Sequence, residues 1–339
     1  MLGAITVIAI LLSLLAAMVF GSADIGPAQA MRVVQHHLFG SSLEDIPRST
    51  DTIIWSLRAP RGILALIVGA GLAVSGVAMQ TLVRNPLADP YLLGISAGAG
   101  VGATAVILFG FFASAPLGAL TFGALLGALL ATAAVGLVAR AGGGLTPLRL
   151  VLSGVVLSAA FSALSSFMVF AGPDPRAAQS VMFWMLGSVA GASWAKLAIP
   201  TVVLIVVTGY FIVRARDLDA LSTGYDTAAA VGIDVEGLRR QVFVIQAILV
   251  GSMVAVAGGI GFVGLVIPHL TRMLVGASHR TVLPLAALFG GLFLVWVDIA
   301  SRLIGGSQEM PLGVVTGLIG APLFLYLMLR GSYSYGGQR

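Results

Sequence analysis

Side chains that commonly carry out catalysis are scarce in this sequence. Its 339 residues include 13 acidic residues, 18 lysines and arginines, four histidines and no cysteine. Without cysteine, thiolate catalysis, disulfides and cysteine-ligated metals are excluded. The phosphate loop of ATPases needs a Gly-Lys-Ser/Thr run, but the single lysine, Lys196, follows Ala195. We therefore predict that the chain is not an enzyme, has no catalytic residues and binds no cofactor or metal.

A few ionisable residues in or beside apolar segments could still act on a cargo or an ion. His269 follows Pro268 and could ligate haem iron, although its place at the end of an apolar segment also fits a structural role. Asp298 lies in an apolar segment and Glu309 at the edge of one. Ion-coupled transporters usually need intramembrane ionisable groups, so this small set disfavours an ion-coupled secondary transporter. No paired constellation supports an intramembrane enzyme.

The composition requires lipid as the main solvent of the chain. Hydrophobic residues make up 58% and charged residues 9%, whereas soluble proteins carry roughly 25% charged residues. A span needs about 20 mostly apolar residues, and its backbone polar groups must be satisfied within a helix. The predicted fold is all-α and polytopic, with apolar segments at 2–21, 62–83, 92–112, 115–138, 149–171, 196–213, 240–258, 261–275, 282–303 and 311–329.

Both termini are predicted to lie in the cytoplasm. Residues 2–20 are apolar and precede Ala28-Gln29-Ala30, which resembles a signal-peptide cleavage site, but no lysine or arginine comes before them. We interpret the segment as the first span. An even number of spans puts both termini on one side, and more arginines fall in the loops on that side. The net charge of +5 thus indicates membrane topology and not nucleic-acid binding.

The chain contains a weak internal repeat. Residues at 68–69, 73–74, 76, 86, 92 and 94 recur 182 positions further on, beginning with Val68-Gly69 and Val250-Gly251. The first copy would enter the cytoplasm and the second would leave it, so the repeat is predicted to be inverted, as in many transporters. Chance similarity between helices rich in glycine, alanine and valine is the alternative.

The most polar loop on the predicted cytoplasmic side covers residues 214–240. Leu218, Leu221 and Ala228 give its short helices apolar faces, which are interrupted at Gly224 and Gly232. Small amphipathic helices in an exposed loop can dock a partner protein. A plain solvated connection between two spans is the alternative.

An ordered series of motifs resembles the permease family of bacterial ABC importers for iron chelates, haem and vitamin B12 (the FecCD type). The motifs lie in order between about residues 58 and 324. They are Arg58-Ala-Pro-Arg61, Gly76-Val-Ala-Met-Gln80, Arg84-Asn-Pro-Leu-Ala-Asp-Pro90, Leu93-Gly-Ile-Ser-Ala-Gly-Ala99, Phe183-Trp-Met-Leu-Gly-Ser188, Gly261-Phe-Val-Gly-Leu-Val-Ile-Pro-His-Leu-Thr-Arg272, Asp298-Ile-Ala-Ser-Arg302 and Glu309-Met-Pro-Leu-Gly-Val-Val-Thr-Gly-Leu-Ile-Gly-Ala-Pro-Leu-Phe324.

The resemblance implies a single transmembrane permease domain over residues 1–339 in the bacterial inner membrane. Two copies would form a homodimer around a central path, with two cytoplasmic ATP-binding subunits and an extracytoplasmic substrate-binding protein as partners. The assembly would move haem or a ferric siderophore by alternating access, with vitamin B12 as the alternative cargo.

The resemblance also implies roles for particular residues. Outer-face arginines in similar permeases meet glutamates of the binding protein, which implies docking roles for Arg58, Arg61 and Arg302. Snorkelling to lipid headgroups, and for Arg302 an intrahelical pair with Asp298, are the alternatives. The residues implied in ATPase coupling are Leu218, Leu221, Gly224, Asp226, Ala228 and Gly232.

The translocation path is expected to be lined by small and apolar side chains. Met79, Gln80 and Phe167 are the candidates for its wall. Arg176 ends the Gly172-Pro-Asp-Pro-Arg176 run of an outer loop, where its charge would attract anionic cargo. A solvated loop charge is the alternative for Arg176.

Overall fold

The computed structural model describes residues 2–21, 23–43, 46–115, 118–172, 174–304 and 309–330, and every regular element in these ranges is helical. A π-helical segment (Thr52–Arg58) precedes α4, and a 3-10 turn (Pro90–Leu93) precedes α5. The α-helices are α1 (Leu2–Val19), α2 (Pro27–Phe39), α3 (Arg48–Asp51), α4 (Ala59–Val83), α5 (Ile95–Phe109), α6 (Ala119–Ala141), α7 (Pro147–Ala171), α8 (Pro175–Met185), α9 (Trp194–Val213), α10 (Ala215–Thr223), α11 (Tyr225–Ala230), α12 (Val235–Ala257), α13 (Val263–Val275), α14 (His279–Ile304) and α15 (Leu312–Arg330).

Ten apolar helices in the described ranges coincide with the ten predicted segments. Three are short, namely Ile95–Phe109, Val263–Val275 and Leu312–Leu327. Seven are long and apolar enough to cross a membrane by length and composition, namely Leu2–Val19, Arg48–Val83, Ala119–Ala141, Pro147–Ala171, Trp194–Val213, Val235–Ala257 and His279–Ile304. The predicted all-α, polytopic fold is confirmed.

Helix α4 forms the centre of the packed helices. Nearly all of its residues are buried, and it packs against α14, α12, α13, α9 and α1. Gly69 lies so close to α14 that a Cβ at this position would be 2.2 Å from the carbonyl oxygen of Gly290. A Cβ at Gly76 would lie 1.9 Å from the carbonyl oxygen of Gly264. Small residues permit this close packing, which holds helices together where lipid supplies no hydrophobic drive.

Helix α4 ends at Val83, where the two prolines of residues 84–90 predict a helix stop. Arg84 adopts a left-handed φ of 50°, and the Asn85 amide donates a hydrogen bond to the Gln80 carbonyl at 3.1 Å. The chain then turns into the 3-10 segment, because proline cannot continue the helical ladder of hydrogen bonds.

The repeated residues fall mainly on α4 and α12, which pack against each other. The two copies diverge beyond Gly76 and its counterpart Gly258. Helix α4 continues to Val83, whereas α12 ends at Ala257 and Gly258 has a φ of 68°. The opposite orientation of the two copies stays a prediction from the span count.

Most residues of helices α7 and α9 are not covered by other parts of the chain. Large apolar side chains such as Phe167 (66% exposed), Phe170 and Val206 project from them. An apolar surface of this extent needs lipid or another protein as its neighbour.

Candidate functional site

The polar loops of the chain gather at two ends of the helical body. The end that we call the basic end contains residues 84–94, 139–149, 214–240 and 272–280. Contacts across these loops, such as the one between Asp219 and His279, hold them together. The opposite end contains the loops around residues 20–61, 186–194 and 298–311, where the Trp194 indole donates a hydrogen bond to the Trp55 carbonyl.

The apolar faces of the 214–240 loop turn inwards. Leu218, Leu221 and Ala228 are fully buried within the single chain, and Leu218 and Leu221 belong to its hydrophobic core. The predicted role of these three residues in ATPase coupling stays a prediction. They attach α10 and α11 to the rest of the chain and thereby shape the loop.

The outer face of the 214–240 loop is formed by other residues. Tyr225 (47% exposed), Asp226 and Val231 (66% exposed) are accessible, and nothing lies within 4 Å of a Cβ built at Gly232. Gly224 has a φ of 141° and separates α10 from α11, while Gly232 has a φ of 84° after α11. Both values favour glycine, so the two predicted interruptions define how the exposed face is presented.

A histidine that the sequence analysis missed ties this loop to the core. The His279 ring contacts the Asp219 carboxylate at 2.5 Å and, through its other nitrogen, the Thr81 hydroxyl at 2.6 Å. The His279 amide also donates to Asp219 at 2.9 Å. Burial alone would raise the pKa of Asp219, but the hydrogen bonds and charge of His279 lower it below its ordinary value. The contact joins α10, α14 and α4 at the basic end.

Four charged residues, three of them with buried side chains, form a network at the opposite end, which we call the charge network. Arg61 donates to Asp298 at 2.8 Å and to Glu309 at 2.6 Å. Arg302 lies 3.1 Å from the second oxygen of Asp298 and donates to the Phe20 carbonyl at 2.7 Å. The network therefore joins α1, α4, α14 and the segment before α15.

The three arginines predicted to dock a binding protein have partners inside this chain. Arg58 donates to the carbonyls of Met18, Val19 and Ala23 at 2.8–2.9 Å. Arg58 and Arg61 are 7% and 8% exposed. In this conformation the guanidinium groups are bound within the chain, and their docking role stays a prediction. The Asp298–Arg302 pair, one of the sequence alternatives, is present.

Two of the four path candidates are buried inside the chain. Met79 and Gln80 are both fully buried. The Gln80 amide donates to the Leu265 carbonyl at 3.2 Å and its oxygen accepts from Arg272. Both residues thus connect α4 to its neighbours in one copy, and their place on the wall of the path stays a prediction.

The other two path candidates are accessible. Phe167 projects from α7, and Arg176 is exposed in the first turn of α8. The Asp174 carboxylate caps this turn by accepting from the Arg176 amide at 2.8 Å. Within the described residues, neither the Phe167 nor the Arg176 side chain makes a hydrogen bond or an ion pair.

Asp89 is a further titratable group that the sequence analysis did not single out. Its carboxylate accepts a hydrogen bond from the Tyr91 amide at 2.8 Å, and the Tyr91 hydroxyl accepts from the Ile260 amide at 3.0 Å. Burial raises the pKa of Asp89 to about 6, although the Tyr91 amide favours the charged form. The loop after α4 therefore contains a carboxyl whose pKa lies above its ordinary value.

Asp89→Asn is expected to stabilise the chain at about pH 7.5 and to have little effect near pH 4. Because the folded-state pKa of Asp89 is raised, its stabilising protonated form is lost as the pH rises from about 4 to about 6. Asparagine stays neutral and can still accept from Tyr91, so we expect a gain on the order of 1 kcal/mol. Thermal unfolding in detergent measures it, with exposed Asp226→Asn as control. An equal gain at both pH values would contradict the assignment.

The fold and its two loop ends define a polytopic helical membrane protein. The model of the FecCD transport family matches residues 6–330. The chain belongs to this family, and it is a membrane permease subunit of the ABC importer class.

Named relatives and a solved structure cover most of the chain. The hemin transport system permease HmuU of Yersinia pestis is 38% identical over 324 residues, which is 94% of each chain. The vitamin B12 import permease BtuC of Vibrio cholerae is 41% identical over 82% of this chain and 83% of its own. A structure described as an inward-facing metal-chelate type ABC transporter has a TM-score of 0.84 at 32% identity, and the match covers 97% of this chain and 99% of that one.

Proposed function

We propose that this chain is the membrane-spanning half of a homodimeric ABC importer that moves an iron chelate, either haem or a ferric siderophore, across the bacterial inner membrane. Vitamin B12 is the alternative cargo. The observation that carries the proposal is the 214–240 loop, whose buried face is fixed to the core while its other face is free to dock an ATPase. Family membership supports the same assignment.

Two features of the loop support a role in ATPase coupling: an exposed outer face and a contact with the core on the inner side. On the outer face, Tyr225, Asp226, Val231 and Gly232 are accessible to a partner. On the inner side, Asp219 reaches His279, and His279 reaches the buried helix α4 through Thr81. A force applied by a partner on the outer face would therefore pass directly to α4 and α14. The chain has no phosphate loop of its own, so two partner subunits would supply ATP hydrolysis.

A central path between two copies fits the distribution of exposed apolar surface. Met79 and Gln80 are sealed inside the single chain, whereas α7 exposes Phe167 and other large apolar side chains. In this proposal, Phe167 and Arg176 remain candidates for the wall and entrance of the path. The remaining exposed apolar surface would face lipid.

The basic end would lie in the cytoplasm, with both termini on that side. Among the described residues, its loops hold Arg84, Arg140, Arg149, Arg214, Arg216, Arg239, Arg240, Arg272 and Arg280, in line with the positive-inside rule. The opposite end would then receive the extracytoplasmic binding protein. Residues other than the buried Arg58 and Arg61 would make that contact in the present conformation.

The ion-coupled alternative is weakened by the charge network. Its two candidate carboxylates, Asp298 and Glu309, both pair with Arg61. A carboxylate that is neutralised by a buried arginine is a poor site for a coupling ion, since the arginine already supplies the compensating charge.

Arg176→Ala is expected to slow the uptake of anionic cargo several-fold and to leave neutral cargo unchanged. Its exposed guanidinium would attract carboxylates such as haem propionates at the entrance of the path. Uptake of haem and of a neutral chelate into proteoliposomes measures the effect at low and high salt. Arg48→Ala, another exposed arginine at the same end, is the matched control. Equal slowing of both cargoes would remove the selectivity claim.

The decisive experiment for cargo is the ATPase activity of the complete assembly. The chain is reconstituted with its ATP-binding subunits and binding protein, and hydrolysis is measured with haem, ferric siderophores and cobalamin. We expect stimulation by one iron chelate. Stimulation by cobalamin alone would select the alternative cargo, and an absence of any ATPase partner would overturn the proposal.

A further inference from the structure

A small basic cavity lies at the basic end, between the α6–α7 turn and the start of α12. Its volume is about 230 Å³, below the roughly 300 Å³ at which pockets for drug-sized ligands begin. Three arginines, Arg140, Arg239 and Arg240, line it together with Thr146. The cavity is thus sized for a small anionic group and not for a large cargo.

The arginines of this cavity are not neutralised by ion pairs within the described part of the chain. No ion pair there joins Arg140, Arg239 or Arg240 to a carboxylate. Arg239 is only 6% exposed, and its Nε has no hydrogen-bond partner among the described residues. Buried polar groups are almost always hydrogen-bonded, so this nitrogen indicates a missing acceptor.

The charge of the cavity favours an anion with a single charge. Two carboxylates, Asp234 and Glu236, also line it, and Asp234 caps α12 by accepting from the Gly237 amide at 3.0 Å. With three arginines and two carboxylates, the lining carries a net charge of +1. A phosphodiester has one negative charge and offers acceptor oxygens to guanidinium groups. A polyphosphate would meet repulsion from the two carboxylates.

Exposed apolar side chains continue from the cavity along the helices. Leu137 (70% exposed) and Val138 lie in the last turns of α6, Leu148 (68% exposed) lies in the first turn of α7, and Val244 is exposed on α12. The cavity therefore lies where an exposed apolar surface meets a basic loop region. Basic pockets between membrane helices on the cytoplasmic side suit lipid headgroups.

We propose that this cavity binds the phosphate headgroup of an anionic membrane lipid, with the acyl chains against the exposed side chains of α6, α7 and α12. The guanidinium of Arg239 lies 5.7 Å from the centre of the Tyr225 ring on the 214–240 loop. A bound headgroup would therefore order Arg239 and the neighbouring Tyr225 within the loop proposed to dock the ATPase. Lipid binding itself does not depend on that proposed function.

The test uses the full-length chain in neutral detergent, titrated with phosphatidylglycerol, phosphatidylcholine or inorganic phosphate. Native mass spectrometry counts the bound lipid. We expect phosphatidylglycerol to bind about tenfold more tightly than phosphatidylcholine. Arg140→Gln and Arg240→Gln should each weaken phosphatidylglycerol about fivefold, and together about 25-fold. Arg239 is left intact because its substitution would also disturb Tyr225.

Three controls make the result interpretable. Arg280→Gln removes an exposed arginine at the same end and should leave binding unchanged. The charge-conserving pair Arg140→Lys and Arg240→Lys should keep most of the affinity. Thermal unfolding without added lipid should match the wild type, because Arg140 and Arg240 are both exposed.

Several outcomes would overturn the proposal. Equal binding of the two lipids, or an equal loss in Arg280→Gln, would make the preference non-specific. Displacement of the lipid by inorganic phosphate at similar concentrations would assign the cavity to free phosphate. Loss of ATPase-subunit binding in the double variant, with an unchanged phosphatidylglycerol titration, would assign it to the ATPase contact.

Discussion

Asp298→Asn is expected to lower the free energy of unfolding by about 3–5 kcal/mol. Asp298 is fully buried and lies 2.8 Å from Arg61 and 3.1 Å from Arg302. Asparagine has nearly the same shape but no charge, so buried Arg302 would lose its counter-charge and buried Arg61 would keep only its pair with Glu309. Removing one partner of a buried ion pair costs much more than the pair contributes, because the remaining charge stays desolvated.

Denaturant or thermal unfolding of the full chain in detergent measures this effect. Asp24→Asn, an exposed aspartate at the same end, makes the same chemical change and should alter stability by less than about 0.5 kcal/mol. Glu309→Gln should cost about 1 kcal/mol or less, because the Glu309 side chain is 48% exposed and its pair with Arg61 is screened by solvent. A loss for Asp298→Asn as small as that for Glu309→Gln would contradict the charge network as a stabilising element.

Val231→Glu is expected to weaken association with the ATPase subunits at least about thirtyfold, while the helices stay folded. Val231 is 66% exposed after α11, at the face left free by the 214–240 loop. A glutamate there would have to be buried without a partner when an ATPase docks, and such a change at an interface centre costs about 2 kcal/mol or more. Because the side chain is exposed in the free chain, its replacement leaves the packing untouched.

Co-purification of the ATPase subunits and ATP-driven uptake measure the effect of Val231→Glu. Ala277→Glu introduces the same charge at an exposed position of the basic end outside the loop and is the matched control. If Val231→Glu associates with the ATPase subunits as the wild type does, the exposed face of the 214–240 loop is not the docking site. A charge at Leu221 would not answer the question, because Leu221 is fully buried and the variant would disrupt the loop itself. Gly232→Pro has the same defect, since proline cannot adopt the φ of 84° at this position.

The membrane helices could be predicted because their signal is local. A run of about 20 apolar residues has few alternatives in lipid, so the ten segments needed no information about partners in the fold. The helix stop after Val83 was predictable for the same reason, since Pro86 and Pro90 act on their own backbone. The absence of a phosphate loop likewise could be read from the sequence alone.

The direction of the charged and apolar side chains could not be predicted in the same way. Arg61 and Asp298 are 237 residues apart in the chain, and only the packing of α4 on α14 brings them together. The periodicity of the 214–240 loop identified the apolar face of α10 through Leu218 and Leu221. It could not tell whether that face was covered by this chain or by a partner, and the structure assigns it to this chain.

The Asp219–His279 contact illustrates the same limit at the basic end. Neither residue belongs to a recognisable motif, and they are 60 positions apart. The sequence pointed to His269 instead, because His269 follows Pro268 in one of the family motifs. The role of His279 in joining the 214–240 loop to α4 could therefore be found only in the folded structure.

The central claim is that this permease is driven by ATP hydrolysis on docked partner subunits. The most direct measurement is cargo uptake into proteoliposomes that contain the chain, its ATP-binding subunits and the binding protein. We predict that uptake requires ATP on the side of the vesicle membrane that the basic end faces. Uptake should be inhibited by vanadate and should not change when ion gradients are collapsed. Uptake by the chain alone, driven by a proton or sodium gradient without ATP, would contradict the account.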